Sequence, residues 1–141
     1  MGQGYLEENE TKKKYLKSYQ ESVRREKEIL EEIQRLRMDK MFPSVVNDGM
    51  PKGSHQSDLS DYMVLIDEQI ERLKQERLKR QQINDRIDLA IRRMEEPEEQ
   101  RVLRLRYIQG LKWEEVAVKM GCDPRQARRI HGRALNNFKM S

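Results

Sequence analysis

Three arginines near the carboxyl end, Arg125, Arg128 and Arg129, are spaced so that they share one side of a helix. A guanidinium is a rigid fork of donors that can bind guanine O6 and N7, or a phosphate, through two parallel hydrogen bonds. Gln126 adds an amide of the kind that pairs with adenine. This pattern indicates the recognition of base edges by non-covalent contacts, with no bond made or broken.

The residues around these arginines predict two short helices joined by a tight turn. The first helix runs from Trp113 to Met120, and Gly121 then stands where glycine adopts a left-handed backbone without steric cost. Asp123 is a good N-cap, and Pro124 is a favoured first residue for a second helix over about residues 124–139. Four apolar residues of that helix recur at helical spacing and are predicted to face inward, namely Ala127, Ile130, Ala134 and Phe138. The pattern predicts a helix-turn-helix, whose second helix enters the major groove in many DNA-binding proteins.

A third short helix is predicted to precede this pair, beginning at Pro97 and ending at Gly110. Trp113, the largest hydrophobe of the chain, is expected to anchor this three-helix module or to dock it onto a long helix. Cys122 is expected to pack in the turn, and His131 is expected at the surface, near a phosphate or a neighbouring helix.

The module resembles the fourth conserved region of bacterial sigma factors, which recognises an upstream promoter element. The resemblance covers residues 97–139 and is carried by the segments EEQRVLRLRYIQGLKWEEVA, MG and ARRIHGRAL. The whole chain is similar to a phage-encoded family that has a helical amino-terminal half and a sigma-region-4-like carboxyl terminus. Members of that family are described as uncharacterised or as late-operon transcription regulators.

The resemblance implies that Arg125, Arg128 and Arg129 reach base edges, whereas Arg106 and Lys112 contact phosphates. Gln126 is a further candidate for a base contact, and Arg133 is a further candidate for a phosphate contact. Sigma factors usually carry Thr or Ser where Lys112 stands, a basic residue where Pro124 stands and an acidic residue where Arg125 stands. These departures indicate that the bases recognised differ from those of a housekeeping promoter.

The composition places the positive charge on this module. Of the 141 residues 38% are charged and 6% are aromatic, a balance that suits long helices with solvated outer faces and not a large globular core. The formal net charge is +4, but residues 101–141 hold ten Lys or Arg against three Asp or Glu, a net charge of +7. Such an excess is what neutralisation of DNA phosphates requires.

Two long amphipathic helices are predicted before the module, from Glu7 to Met41 and from Leu59 to Glu95. The apolar positions of the first are Tyr15, Leu16, Tyr19, Val23, Leu30, Ile33 and Leu36, and those of the second are Leu59, Met63, Ile66, Ile70, Leu73, Ile83, Ile87, Ile91 and Met94. Turn-forming residues between the helices predict a loop. The helices could fold back on each other or pair with a second chain, and a further alternative is that the first is partly disordered alone.

The predicted fold class is therefore all-α, with a long helical hairpin or coiled coil followed by a carboxyl-terminal three-helix helix-turn-helix module. The predicted segments are residues 1–42 (charged helix), 43–58 (loop), 59–96 (long central helix) and 97–141 (DNA-binding module).

Several function classes find no support in the sequence. No nucleotide-binding or nucleophile motif is present, and the two histidines have no partners at metal-ligand spacing, so we expect neither enzymatic activity nor a cofactor or metal. A single cysteine excludes an internal disulfide. No apolar run approaches the roughly 20 residues that span a bilayer. We expect a cytoplasmic protein of a bacterial host cell, with no membrane partner.

The leading hypothesis is a sequence-specific transcription regulator of phage or prophage type. Its candidate partners are double-stranded DNA, RNA polymerase and a second copy of the chain, which would form a homodimer through the long helices. One alternative is a DNA-packaging protein of the small-terminase kind. Another is a sigma-like interaction protein that binds RNA polymerase without reading DNA. The operator sequence, the sign of regulation and the oligomeric state are not specified by the sequence.

Overall fold

A computed structural model describes the backbone of residues 2–41 and 55–140, and the side chains of residues 7–40 and 59–140. Within these residues all regular structure is helical. Two long helices, α1 (Gly2–Met41) and α2 (His55–Arg92), precede a helical module at the carboxyl end, which confirms the predicted fold class. Most of the predicted loop lies outside the described residues, and α2 begins at His55 instead of Leu59.

The carboxyl-terminal module consists of α3 (Pro97–Leu103), a π-helical segment (Arg104–Ile108), α4 (Trp113–Met120) and α5 (Pro124–Asn137). The π segment continues α3, with the backbone N–H of Gln109 donating to the carbonyl of Arg104 over 2.9 Å. Its wider turn places both Leu105 and Tyr107 in the core. Leu105 and Tyr107 are two residues apart, and a regular α-helix with 3.6 residues per turn does not place two such residues on the same face.

Residues 23–79 form one compact unit, here called the hairpin unit. It contains the later part of α1 and the earlier part of α2, which run antiparallel. Its small core consists of Ile29, Ile33, Ile66 and Leu73. Ion pairs at its edge join Arg25 to Glu76 over 3.3 Å and Arg77 to Glu26 over 2.9 Å.

Residues 1–22 and 80–141 form a second unit, here called the composite unit because its two segments are distant in sequence. It combines the first part of α1, the end of α2 and the whole carboxyl-terminal module. Its core is continuous and includes Leu16 of α1, Ile87 of α2, Val102 of α3, Val116 of α4 and Phe138 after α5, each 0% exposed. Leu16 of α1 is therefore part of the same core as the helix-turn-helix.

Three of the predicted apolar positions are wrong. Leu30 is 42% exposed, whereas Ile29, one residue earlier, is buried in the hairpin unit. Leu59 and Met63 are each 49% exposed. In a two-helix unit only a narrow stripe of each helix is covered, so apolar residues at the edge of the predicted seam remain in water. None of the helices in the described part of the chain has the length and apolar content that a membrane span needs.

Candidate nucleic-acid interface

The turn between α4 and α5 has the local structure that its residues predict. Gly121 ends α4 in the left-handed region, with φ of 71°, and the N–H of Cys122 donates to the carbonyl of Ala117 over 3.0 Å. Asp123 then caps α5, because its Oδ1 accepts the N–H of Gln126 over 2.7 Å. Cys122 is partly buried against the core, as predicted.

The inner face of α5 confirms the predicted set of core residues. Ala127, Ile130, Ala134 and Phe138 are all between 0% and 3% exposed. On α4, Val116 and Ala117 are buried against them. Because these residues fix the rotation of α5, the arginines on the opposite side of the helix point outward.

The outer face of α5 carries the predicted base-contacting residues. Arg125, Arg128, Arg129 and Arg133 are exposed, and Gln126 is partly exposed. Among the described residues, no ion pair joins any of these four arginines to a carboxylate. The face is therefore an uncompensated strip of positive charge on a helix whose position is fixed by its core, which is the arrangement that a polyanion can bind.

Trp113 brings two of the predicted site residues together. The guanidinium carbon of Arg106 lies 4.7 Å from the centre of the indole ring, and that of Arg128 lies 5.9 Å from it. Arg106 also donates from Nη1 to the carbonyl of Leu111 over 2.8 Å, so its side chain is held in place. Lys112, the N-cap of α4, is exposed and makes no side-chain capping hydrogen bond. Arg106 and Lys112 thus flank the start of α4, while the other predicted site residues lie on α5.

The ring contacts of Trp113 lie within the module, which favours the first of its two predicted roles, that of an anchor. Its ring meets His131 edge-on at 4.9 Å and is only partly buried. We expect Trp113→Ala to lower the free energy of unfolding of the composite unit by about 3 kcal/mol, the lower end of the range for removing a large aromatic side chain. Thermal unfolding followed by circular dichroism measures this, and a variant with the stability of the parent chain would contradict the assignment.

His131 is the clearest departure from expectation. It was expected at the surface, but it is 8% exposed and lies between Tyr107 and Trp113. Its Nε2 lies 2.6 Å from the hydroxyl of Tyr107. Burial, with smaller contributions from Lys13, Arg106 and Lys17, lowers the pKa of His131 to about 4, and burial raises the pKa of Tyr107 to about 12. At neutral pH the imidazole and the phenol are therefore both uncharged, and the hydrogen bond between them joins two neutral groups.

This burial predicts a loss of stability in mild acid. His131 has a folded pKa of about 4 and an ordinary value of 6.5, so between these values the unfolded chain binds a proton that the folded unit does not. The stabilisation is complete above pH 6.5 and is lost as the pH falls toward 4, by an amount on the order of 3 kcal/mol. Urea unfolding followed by the fluorescence of Trp113, the single tryptophan, measures it.

The matched variant is His131→Gln, which offers an amide near the position of Nε2 and does not titrate. Its packing loss should be the same at every pH, so its stability should fall less than that of the parent chain between pH 6.5 and 4. Parallel stability curves for the two chains over this range would contradict the role assigned to His131.

Sequence reasoning missed the polar residues of α1 that hold the helix-turn-helix. Lys12 is 6% exposed, and its Nζ donates to the carbonyl of Leu135 over 2.8 Å at the end of α5, where a positive charge also interacts favourably with the helix dipole. Gln20 donates to the carbonyls of Tyr107 and Ile108, over 3.1 and 2.8 Å, in the π segment. No sequence signal distinguishes these residues from the solvated Lys and Gln residues elsewhere on the long helices.

Gly110 shows how closely α1 approaches the module. Its φ of +70° is left-handed, and a Cβ on it would lie 3.1 Å from the Gln20 side-chain amide. The backbone conformation therefore favours glycine here, and a larger residue would also displace the Gln20 amide by a few tenths of an ångström.

No curated protein and no solved structure matches the chain. A protein-family model does match, and it begins within α2 instead of at residue 97, where the sequence resemblance began. Residues 85–137, which hold the end of α2 and the elements from α3 to α5, match the family Sigma-70, region 4, so the carboxyl-terminal part of the chain is a sigma-region-4-like helix-turn-helix module.

Proposed function

We propose that the chain is a sequence-specific double-stranded DNA-binding protein that regulates transcription, of the phage-encoded kind that its whole sequence resembles. The observation that carries this proposal is the outer face of α5, where four exposed arginines have no carboxylate partner among the described residues. The family match to region 4 supports it, because that match covers the helix-turn-helix whose second helix is α5.

The site residues divide by their position in the module. Arg125, Arg128, Arg129 and Gln126 lie in the first half of α5, the part of a recognition helix that meets base edges, and we assign base contacts to them. Arg106 and Lys112 lie beside the start of α4, and Arg133 lies one turn beyond Arg129. We assign phosphate contacts to these three.

A mobility-shift assay with the whole chain tests the proposal. Duplex DNA from upstream of its own coding region should be retarded at lower protein concentration than random duplex of equal length, and added salt should weaken both complexes. Absence of any shift, even in low salt, would contradict the proposal and would favour an interaction protein that binds polymerase alone. Equal affinity for all duplexes, together with a ring of many copies in native mass spectrometry, would favour a packaging protein.

Lys112→Ala separates phosphate contacts from base contacts. Because the ammonium of Lys112 is assigned to the backbone, its loss should weaken binding to preferred and random duplexes by the same factor. The slope of log affinity against log salt concentration should become shallower by about 0.9, the value for one phosphate contact. Fluorescence anisotropy titrations at several salt concentrations measure both quantities. A loss confined to the preferred duplex would contradict the assignment.

A further inference from the structure

The first part of α1 lies against α5 and the π segment, outside the residues that match the family. Asn9 donates from Nδ2 to Oδ1 of Asn136 over 2.9 Å, at the end of α5. Lys12 contacts α5 about one turn further along α1, and Gln20 contacts the π segment about two turns beyond Lys12. The position of this part of α1 relative to the helix-turn-helix is therefore fixed by side-chain hydrogen bonds at both of its ends.

Two lysines follow Asn9 at intervals of one helical turn, Lys13 and Lys17, so they lie near the same side of α1. Lys17 is exposed and Lys13 is partly exposed. The positive charges of both lie close enough to His131 to contribute to the lowering of its pKa. Glu10 pairs with Lys13 over 3.1 Å, and no described ion pair involves Lys17.

The same side of the module carries two of the proposed DNA-contacting residues. Arg106 also acts electrostatically on His131, and it shares the ring of Trp113 with Arg128. Cations of α1 and the π segment therefore lie near His131, and Arg128 of α5 lies over the Trp113 ring that packs against His131.

An open depression links α1 to the outer face of α5 as well. It has a volume of about 680 Å³, and its lining includes Asn9 together with Gln126, Arg129 and Arg133. A ligand that fills this depression would therefore contact both α5 and Asn9 of α1.

We propose that Lys13 and Lys17 bind phosphates of the same duplex that α5 reads, so that the DNA-binding surface extends onto α1. This inference rests on the proposed function. The cations lie on three elements, and carboxylates neutralise few of them. This distribution fits a ligand with regularly repeated negative charge, and duplex DNA carries one charge per about 1.7 Å of its axis.

The test is the salt dependence of DNA binding by the whole chain carrying Lys13→Gln and Lys17→Gln. Each lost phosphate contact reduces the slope of log affinity against log salt by about 0.9, so the double variant should be shallower by about 1.8. The reduction should be the same for preferred and random duplex, because phosphates carry no sequence information. The single variant Lys17→Gln should show about half of the effect.

The matched control is Arg86→Gln with Arg93→Gln, which removes the same charge from two exposed positions of the same composite unit, one in α2 and one directly after it. Its slope should equal that of the parent chain. A circular dichroism melt of each variant checks folding, and neither replaced lysine makes a buried hydrogen bond. Should the double lysine variant not fold, the single variant decides the question.

The outcomes separate this inference from the function on which it rests. A parent chain that binds no duplex overturns both. A parent chain that binds with a steep salt slope, and lysine variants that keep that slope, overturn the inference and leave the proposed function standing. A slope that falls equally in the lysine variant and in the arginine control also overturns it, because the effect would then reflect net charge and not contact.

Discussion

Replacing Arg125 and Arg129 together with alanine is expected to lower the affinity for the preferred duplex by about 30-fold or more, since each bidentate contact to a base contributes about 1–3 kcal/mol. Both side chains are exposed on α5, and no described ion pair holds either of them. Neither supports the core, so the fold should persist. Anisotropy titrations of preferred and random duplex at one salt concentration measure the change.

The control for this variant is Arg86→Ala with Arg93→Ala, which removes equal charge from an exposed position in α2 and one directly after it. It should weaken both duplexes slightly and alike, whereas the α5 variant should lose most of its preference. An α5 variant that loses equal affinity for both duplexes would show that these arginines bind only the backbone, and the assignment of base contacts would be wrong.

Leu16→Ala is expected to lower the free energy of unfolding of the composite unit by about 2–5 kcal/mol, because it leaves a cavity in a packed core. Leu16 is 0% exposed, and the core that contains it also contains residues of α4 and α5. The fluorescence of Trp113, which lies at the start of α4, should therefore report the loss during urea unfolding.

Leu30→Ala is the control, since Leu30 lies on the same helix but is 42% exposed. Its effect on the Trp113 transition should be small, because nearly half of Leu30 is already in water and it lies outside the core of the composite unit. A Leu16→Ala chain whose Trp113 transition coincides with that of the parent would contradict the inclusion of α1 in the composite unit.

The helix-turn-helix could be predicted because its signals are local. Gly121, Asp123 and Pro124 each act on the backbone within a few residues, and the apolar period of α5 fixes which residues face outward. The exposure of the arginines of α5 follows directly from these signals. Their contacts with DNA remain a proposal, because sequence and geometry show where a guanidinium stands but not what it binds.

The parts that could not be predicted depend on residues distant in sequence. Lys12 and Gln20 look like the solvated residues of any charged helix, and only the folded chain shows that they bind carbonyls at the end of α5 and in the π segment. The burial of His131 also depends on residues distant in sequence. Its place in a basic helix suggests a surface position, but Tyr107 and Trp113, which cover it, come from other elements.

The most direct test of the central claim is a selection of duplexes from a random library by the whole chain at about 0.15 M salt, near the physiological value, followed by sequencing of the retained DNA. If the exposed face of α5 reads bases in the major groove, the retained duplexes will share one short motif. We expect guanines in that motif, because arginine pairs best with guanine. Retained DNA with the base composition of the starting library, or no retained DNA, would contradict the claim.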